Sequence, residues 1–213
     1  MEGNYSSFRR TSKSKSLSKE NMNPDPMRQL NIWLENVVKS GASEPNAMIL
    51  STSDKDRQSH SRVVLAKYLR NNELIFFSNY ESAKAQEIRI NPRVSGLFFW
   101  PDSERQVRFE GYAEKISKSA SDQYFSQRPR DSQLSAWVSR QSAKIANRTV
   151  LQEKFEYYKK KFADKTIKRP NNWGGYKIIP FYYEFWQGGK DRLHDRFAYR
   201  KNQEGWDITR LSP

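Results

Sequence analysis

The chain contains no cysteine, which excludes disulfides, thiolate metal sites and cysteine nucleophiles together. Histidine is scarce as well: His60 and His194 are the only two in 213 residues, too few for a histidine-rich metal centre, so no metal is expected. No apolar run approaches the roughly eighteen residues that a spanning helix needs, and the chain is read as cytoplasmic with no membrane partner. Acid is short too, with 24 Asp and Glu against 38 Lys and Arg and a net charge of +14. A basic surface attracts nucleic acid, acidic membranes and phosphorylated small molecules alike. Much of the excess lies in the first twenty residues and in Arg140 to Arg169, and neither stretch carries a recognisable nucleic-acid motif.

The apolar fraction of 36% is enough for one core in a chain of this length. Residues 1–22 are rich in Ser, Lys and Arg without apolar periodicity and are read as a mobile arm. A transit peptide is the rival reading, though the stretch has few apolar residues for an amphipathic helix. Asp25 then caps a helix with Pro26 in its first turn. Leu30, Trp33, Leu34, Val37 and Val38 follow at helical spacing until Gly41.

Strand patterns begin at Ala47. Runs over Ala47–Ser53, Ser59–Tyr68, Glu73–Asn79, Val94–Trp100 and Arg105–Ala113 are mostly joined by turns, with a short helix over Ser82–Ile90 stopped by Asn91-Pro92. Close spacing of five strands predicts an antiparallel barrel. Helices are predicted over Ser119–Gln127, Ser132–Val138 and Lys144–Phe162, the last with Leu151, Phe155, Tyr158 and Phe162 on one stripe. After Pro170 strands resume over Tyr176–Ile179, Tyr183–Gln187, Leu193–Tyr199 and Trp206–Arg210. Without a composition break or repeat, residues 23–213 read as a single, mainly β domain with flanking helices.

The run Glu184 to Phe197 combines an aromatic strand, Gly188-Gly189 and a charged segment. If the glycines form a tight turn, alternation on a returning strand puts Arg192, His194 and Arg196 on one face. Such a cluster calls for an anionic or electron-rich partner, because like charges on one face repel; a solvated outer strand is the alternative. Arg62-Val63-Val64-Leu65-Ala66-Lys67 is a strand with a cation at each end. Phe77 to Lys84 leads from a strand end into a helix start, where free amide groups favour an anion, although Ser82 also suits a plain cap. Tyr124, Arg128 and Ser132, four apart, offer a phenol, a guanidinium and a hydroxyl suited to a phosphate. Gln141-Ser142, as plain sequence, reads as the N-terminal region of the long helix after it.

Taken together, E-F-W-Q-x4-R-L-H-D-R at 184–196, R-V-V-L-A-K at 62–67, E-R-Q-V at 104–107, R-P-R-D-S-Q at 128–133 and W-V-S-R-Q-S at 137–142 strongly resemble the pyridoxine (pyridoxamine) 5′-phosphate oxidases. The resemblance runs from about Arg9 to Pro213. It implies a split-barrel, Greek-key-like fold, FMN as cofactor, a homodimer with flavin between subunits, and no nucleic-acid partner. The implied reaction oxidises pyridoxine 5′-phosphate and pyridoxamine 5′-phosphate to pyridoxal 5′-phosphate, with O2 as acceptor and H2O2 as product. It assigns to FMN Arg62, Val63, Val64, Leu65, Lys67, Phe77, Ser78, Lys84, Gln106, Gln141, Ser142, Trp186 and Arg196. To the substrate it assigns Lys67, Tyr124, Arg128, Ser132, Leu193 and, on the arm, Arg9 and Arg10. Arg192 and His194 hold the reacting end and are the implied catalytic pair. Two departures stand out: Ala83 replaces the arginine of the family's S-R-K, and Thr11-Ser12 replaces the glutamate-led pair after the paired arginines.

Overall fold

A computed structural model describes residues 16–213. Its first long helix, α1 (Pro26–Lys39), starts as the sequence dictates. Asp25 is extended and its carboxylate accepts from the amides of Met27 at 2.8 Å and Arg28 at 3.4 Å, while Pro26 occupies the first turn, where its missing N–H costs nothing. Met27, Leu30, Trp33 and Val37 form its buried face, and Gly41 at φ +77° follows its end.

The strands are β1 (Ala47–Ser53), β2 (Ser59–Leu65), β3 (Tyr68–Arg70), β4 (Glu73–Asn79), β5 (Arg93–Trp100), β6 (Arg105–Lys115), β7 (Trp173–Gln187), β8 (Asp195–Lys201) and β9 (Trp206–Leu211). Their order is β2-β1-β5-β6-β7-β4-β3, with β8 between β7 and β9. Four further helices are α2 (Ala83–Ile90), α3 (Lys118–Ser126), α4 (Arg130–Val138) and α5 (Thr149–Lys161). The described chain forms two compact units. One takes the residues up to Met48 with Gly96–Glu110 and Pro180–Pro213; the other takes Ile49–Ser95 and Gly111–Ile179.

In the first unit Trp33 meets Phe185 edge-on at 5.2 Å, and Phe98, Phe109, Tyr183 and Tyr199 are fully buried. Residues 17–22, inside the expected arm, make definite contacts: the Leu17 amide donates to Asp195 Oδ2 at 2.8 Å, its carbonyl accepts from Arg210, and Met22 is buried. Arg9 and Arg10 lie outside the described residues. In the second unit Phe125, Leu134, Ala136, Ile167 and Trp173 form a core on which Phe155 and Tyr158 of α5 and Phe162 just past its end rest, so three of the four predicted stripe residues pack there.

Three predicted boundaries need correction. The run Ser59–Tyr68 breaks after Leu65, and the Lys67 amide donates to the Ile75 carbonyl at 2.7 Å as the chain turns into β3. Tyr176–Ile179 and Tyr183–Gln187 are one strand: β7 pairs with β4 over its first half and β8 over its second, passing through Pro180 without a break. The helix predicted from Lys144 starts at Thr149, since Asn147 Oδ1 takes the Val150 amide and offers the backbone a competing turn.

Candidate active site

Within the second unit lies a cavity of about 1010 Å³. Strand β2 contributes Arg62, Val63, Val64 and Leu65, and Lys67 follows; β4 contributes Phe77 and Ser78; the start of α2 contributes Ala83 and Lys84. Tyr124 of α3, Arg128 in the turn to α4, Ser132 of α4 and the Gln141-Ser142 segment line it as well, together with Trp173 of β7. Among the described residues four cations line this cavity, and no Asp or Glu does.

In the lining of this cavity Lys84 is buried, with Nζ 3.1 Å from Ser78 Oγ, 3.2 Å from Gln141 Oε1 and 3.4 Å from Ser82 Oγ. Burial, and then repulsion from Arg62, lower its ammonium to about 8, against the pull of Glu87. Arg62 Nη2 donates to Glu87 Oε2 at 3.1 Å, while Nη1 reaches Thr52 Oγ1 and the Leu50 carbonyl. Ser82 precedes α2 but does not cap it with its side chain; its hydroxyl donates to the Asn79 carbonyl at 2.8 Å. The Ala83 amide donates instead to Ser142 Oγ at 3.2 Å.

Also lining the cavity, the Arg128 guanidinium lies 4.4 Å above the Trp173 ring. Its Nη1 is buried without a hydrogen-bond partner among the described residues, the one such side-chain atom found there. A buried unpaired donor is costly, so this atom marks a place for an acceptor. Burial works against the Arg128 charge and the nearby Tyr124 works for it. Tyr124 stacks on Phe77 at 3.6 Å, and Phe77 on Trp173 at 5.5 Å, giving the cavity an aromatic wall. The turn carrying Arg128 is tied by Gln133, whose Nε2 donates to the carbonyls of Phe125, Ser126 and Arg128.

Sequence reasoning missed Trp173, Gln133 and Glu87. Glu87 had a usable signal, an acid one helical turn after Lys84. Trp173 had none, because what matters is its β7 register opposite Asn79.

Gln106, Trp186, Arg192, Leu193, His194 and Arg196 belong to the first unit. The expected face of Arg192, His194 and Arg196 on one returning strand does not form. The chain after Gln187 makes a short 3-10 turn, Lys190–Arg192, with Asp191 at φ +55° and Arg192 at φ +63°, and β8 begins only at Asp195. A Cβ on Gly189 would sit 2.1 Å from the Leu193 carbonyl oxygen, so the loop folds back on itself there. His194 Nδ1 accepts from the Gly189 amide at 3.1 Å, its ring is 4.8 Å from Trp186, and Leu193 is exposed. Of the three, only Arg196 lies on the strand, opposite Trp186. Its Nε donates to Glu184 Oε1 at 2.8 Å and its Nη1 to the Ser212 carbonyl at 2.7 Å. Glu184 is buried and also accepts from Arg108 Nε at 2.9 Å and from Tyr182 at 3.2 Å. Burial pushes its carboxyl up, but the hydrogen bonds from Arg196 and Arg108 outweigh this and hold it below the usual range.

The antiparallel strand order and helical additions place the chain in the split-barrel class. Among solved structures it is similar to PhzG from Burkholderia lata, in complex with tetrahydrophenazine-1-carboxylic acid, with a TM-score of 0.88 at 25% identity, covering 95% of this chain and all of that one. A pyridoxamine 5′-phosphate oxidase-related, FMN binding protein from Nostoc punctiforme shares the fold, with a TM-score of 0.72 at 17% identity over 90% of this chain and all of that one. The chain belongs to the pyridoxamine 5′-phosphate oxidase family, whose model matches residues 34–162, while the pyridoxine 5′-phosphate oxidase C-terminal dimerisation region matches residues 173–213. Curated relatives named pyridoxine/pyridoxamine 5′-phosphate oxidase include one from Rippkaea orientalis, 48% identical and covering 92% of this chain and 93% of its own. Another, from Cupriavidus taiwanensis, is 45% identical over 97% of each chain. Among the described residues no helix is long and apolar enough to cross a membrane.

Proposed function

We propose that the chain is an FMN-dependent oxidase that converts pyridoxine 5′-phosphate and pyridoxamine 5′-phosphate to pyridoxal 5′-phosphate, as a cytoplasmic homodimer with residues 23–213 acting as one flavin-binding domain. The observation that carries this is the cavity that, among the described residues, is lined by Arg62, Lys67, Lys84 and Arg128 with no acid, and in which a buried donor of Arg128 has no partner. Two phosphorylated ligands suit two sets of polar and cationic side chains, Arg62 with Lys84 and Arg128 with Tyr124. Arg62, Lys84, Ser78, Gln141 and Ser142 are the groups to hold the FMN phosphate and its neighbourhood, with Val63, Val64, Leu65 and Phe77 along the ring. When bound, FMN supplies the hydride acceptor, and dioxygen restores it with release of hydrogen peroxide.

Arg128, Tyr124 and Ser132 bind the substrate phosphate, and Lys67 stands between the two ligands. Gln106, Trp186 and Arg196 are proposed flavin contacts, and Arg192, Leu193 and His194 hold the reacting end of the substrate. Orientation is the main service of these side chains, because fixing the reacting carbon removes much of the entropic part of the barrier. PhzG makes another substrate the natural rival, and the phosphate cluster of Tyr124, Arg128 and Ser132 speaks for a phosphorylated one.

The test is direct. The purified protein is expected to be yellow, to release FMN on denaturation, and to oxidise pyridoxine 5′-phosphate with peroxide formation. Arg128→Ala is expected to raise KM for that substrate by roughly ten- to a hundredfold, the worth of a charge-assisted hydrogen bond, with FMN content near normal. A colourless protein, or an Arg128→Ala enzyme with unchanged KM, would overturn the assignment.

A further inference from the structure

We propose that Glu87 is a positioning residue for anion binding, acting through Arg62 to fix the cationic corner of the cavity. The inference rests on the reading above that Arg62 meets the FMN phosphate. Glu87 does not line the cavity. It lies on α2 with its side chain only 9% exposed, accepts from Arg62 at 3.1 Å and from Thr52, and has His60 Nδ1 3.0 Å away on its other oxygen. Thr52 in turn accepts from Arg62 Nη1, so both terminal nitrogens of the guanidinium are tied to one carboxylate–hydroxyl pair.

Arg62 needs such a tie because β2 is an end strand of the sheet and is exposed from Ser59 to Ser61, where a long cationic side chain has many competing rotamers. It also has Lys84 as a neighbour, and two cations at one corner repel. Glu87 opposes this repulsion: paired with Arg62, its carboxylate favours the Lys84 ammonium that burial and Arg62 disfavour. Removing its charge frees Arg62 to swing toward water and moves Lys84 further toward the neutral amine. Both changes weaken the hold on an anion. The opposing effect, relief of repulsion between Glu87 and a bound phosphate, is the smaller one because Arg62 is paired directly with Glu87 and cancels most of its field.

The experiment uses full-length protein freed of flavin and titrated with FMN and with riboflavin, which has the same ring system and no phosphate. Arg62→Ala tests the underlying reading and is expected to weaken FMN while sparing riboflavin. Glu87→Gln is expected to weaken FMN by roughly tenfold, to leave riboflavin within about twofold, and to add nothing in the Arg62→Ala background. Thr52→Val, which keeps shape and leaves the Glu87 charge, is expected to give a smaller loss with the same selectivity, and carries the test should Glu87→Gln fail to fold. Unchanged or tighter FMN binding in Glu87→Gln beside a weakened Arg62→Ala would overturn this proposal alone. Equal losses for FMN and riboflavin, or losses that add to those of Arg62→Ala, would do so too. Normal FMN binding by Arg62→Ala would sink the phosphate reading and the proposal with it.

Discussion

Two buried carboxylates each hold an arginine, and they differ in how the charge around them closes. Glu184 accepts from Arg108 and Arg196, and Arg108 has a second acid in Glu110 at 3.0 Å, so two arginines meet two carboxylates. Around Glu87 gather Arg62 at 3.1 Å and His60 at 3.0 Å, with Lys84 close enough to feel both it and Arg62. A cluster balanced within itself is a structural part; a cluster left short of an anion is where a ligand supplies the missing charge. On this view Arg196, the proposed flavin contact, is a fixed donor more than a net charge, because Glu184 already cancels it.

The largest break of this comparison is expected from Glu184→Ala, which leaves two arginines without their shared acid. The loss of stability is expected to be about 2–3 kcal/mol, below the ~3–5 of a fully buried pair because both arginines are partly solvated. Denaturant unfolding at neutral pH measures it. The sign with pH follows from the depressed carboxyl: its contribution is present above the unfolded range near about 4.3 and is lost as pH falls through the folded value. An unchanged midpoint would show that the balanced cluster is not structural.

Next comes pH at the unbalanced corner. With Lys84 lowered to about 8, its cation is present below that pH and lost above it, so FMN affinity is expected to fall by roughly tenfold as pH rises from 7 to 9. The flavin-free fold does not suffer in the same window, since shedding a buried charge relieves a cost. Lys84→Met is expected to bind FMN weakly and with a flat pH profile; a sloping profile in that variant would assign the titration elsewhere.

The smallest effect is expected from Ala83→Arg, which adds a cation to the corner that lacks an anion. Neither nearby arginine fills the gap: Arg89 donates to the Tyr80 carbonyl at 3.4 Å, and Arg93 lies over the Tyr112 ring. FMN is expected to bind roughly two- to tenfold tighter, read as dissociation constants at matched salt. Equal or weaker binding would mean that the corner is already saturated with positive charge.

What was legible in the sequence was mostly local. The Asp25-Pro26 cap, β1 and β4 follow from capping chemistry and from strand patterns closed by turn residues. Pro180 misled because a proline between two strand runs reads as punctuation, yet β7 changes partner from β4 to β8 around it. The loop after Gly188 misled for the opposite reason: alternation was assumed to begin at once, whereas left-handed Asp191 and Arg192 spend those residues on a turn. Cavity residues could be named by resemblance, but their supports could not. Glu87 serves Arg62 from another element, and Trp173 carries Arg128 across 45 residues of sequence, relations that no short pattern encodes.

Leu17 is gripped through its main chain, its N–H by Asp195 and its carbonyl by Arg210. Neither of these hydrogen bonds reads a side chain, so any residue with an N–H can make both and proline cannot. What cannot drift is the length of chain between this point and α1: one residue more or fewer would present a different peptide unit to Asp195. The tether is specified by counting rather than by chemistry.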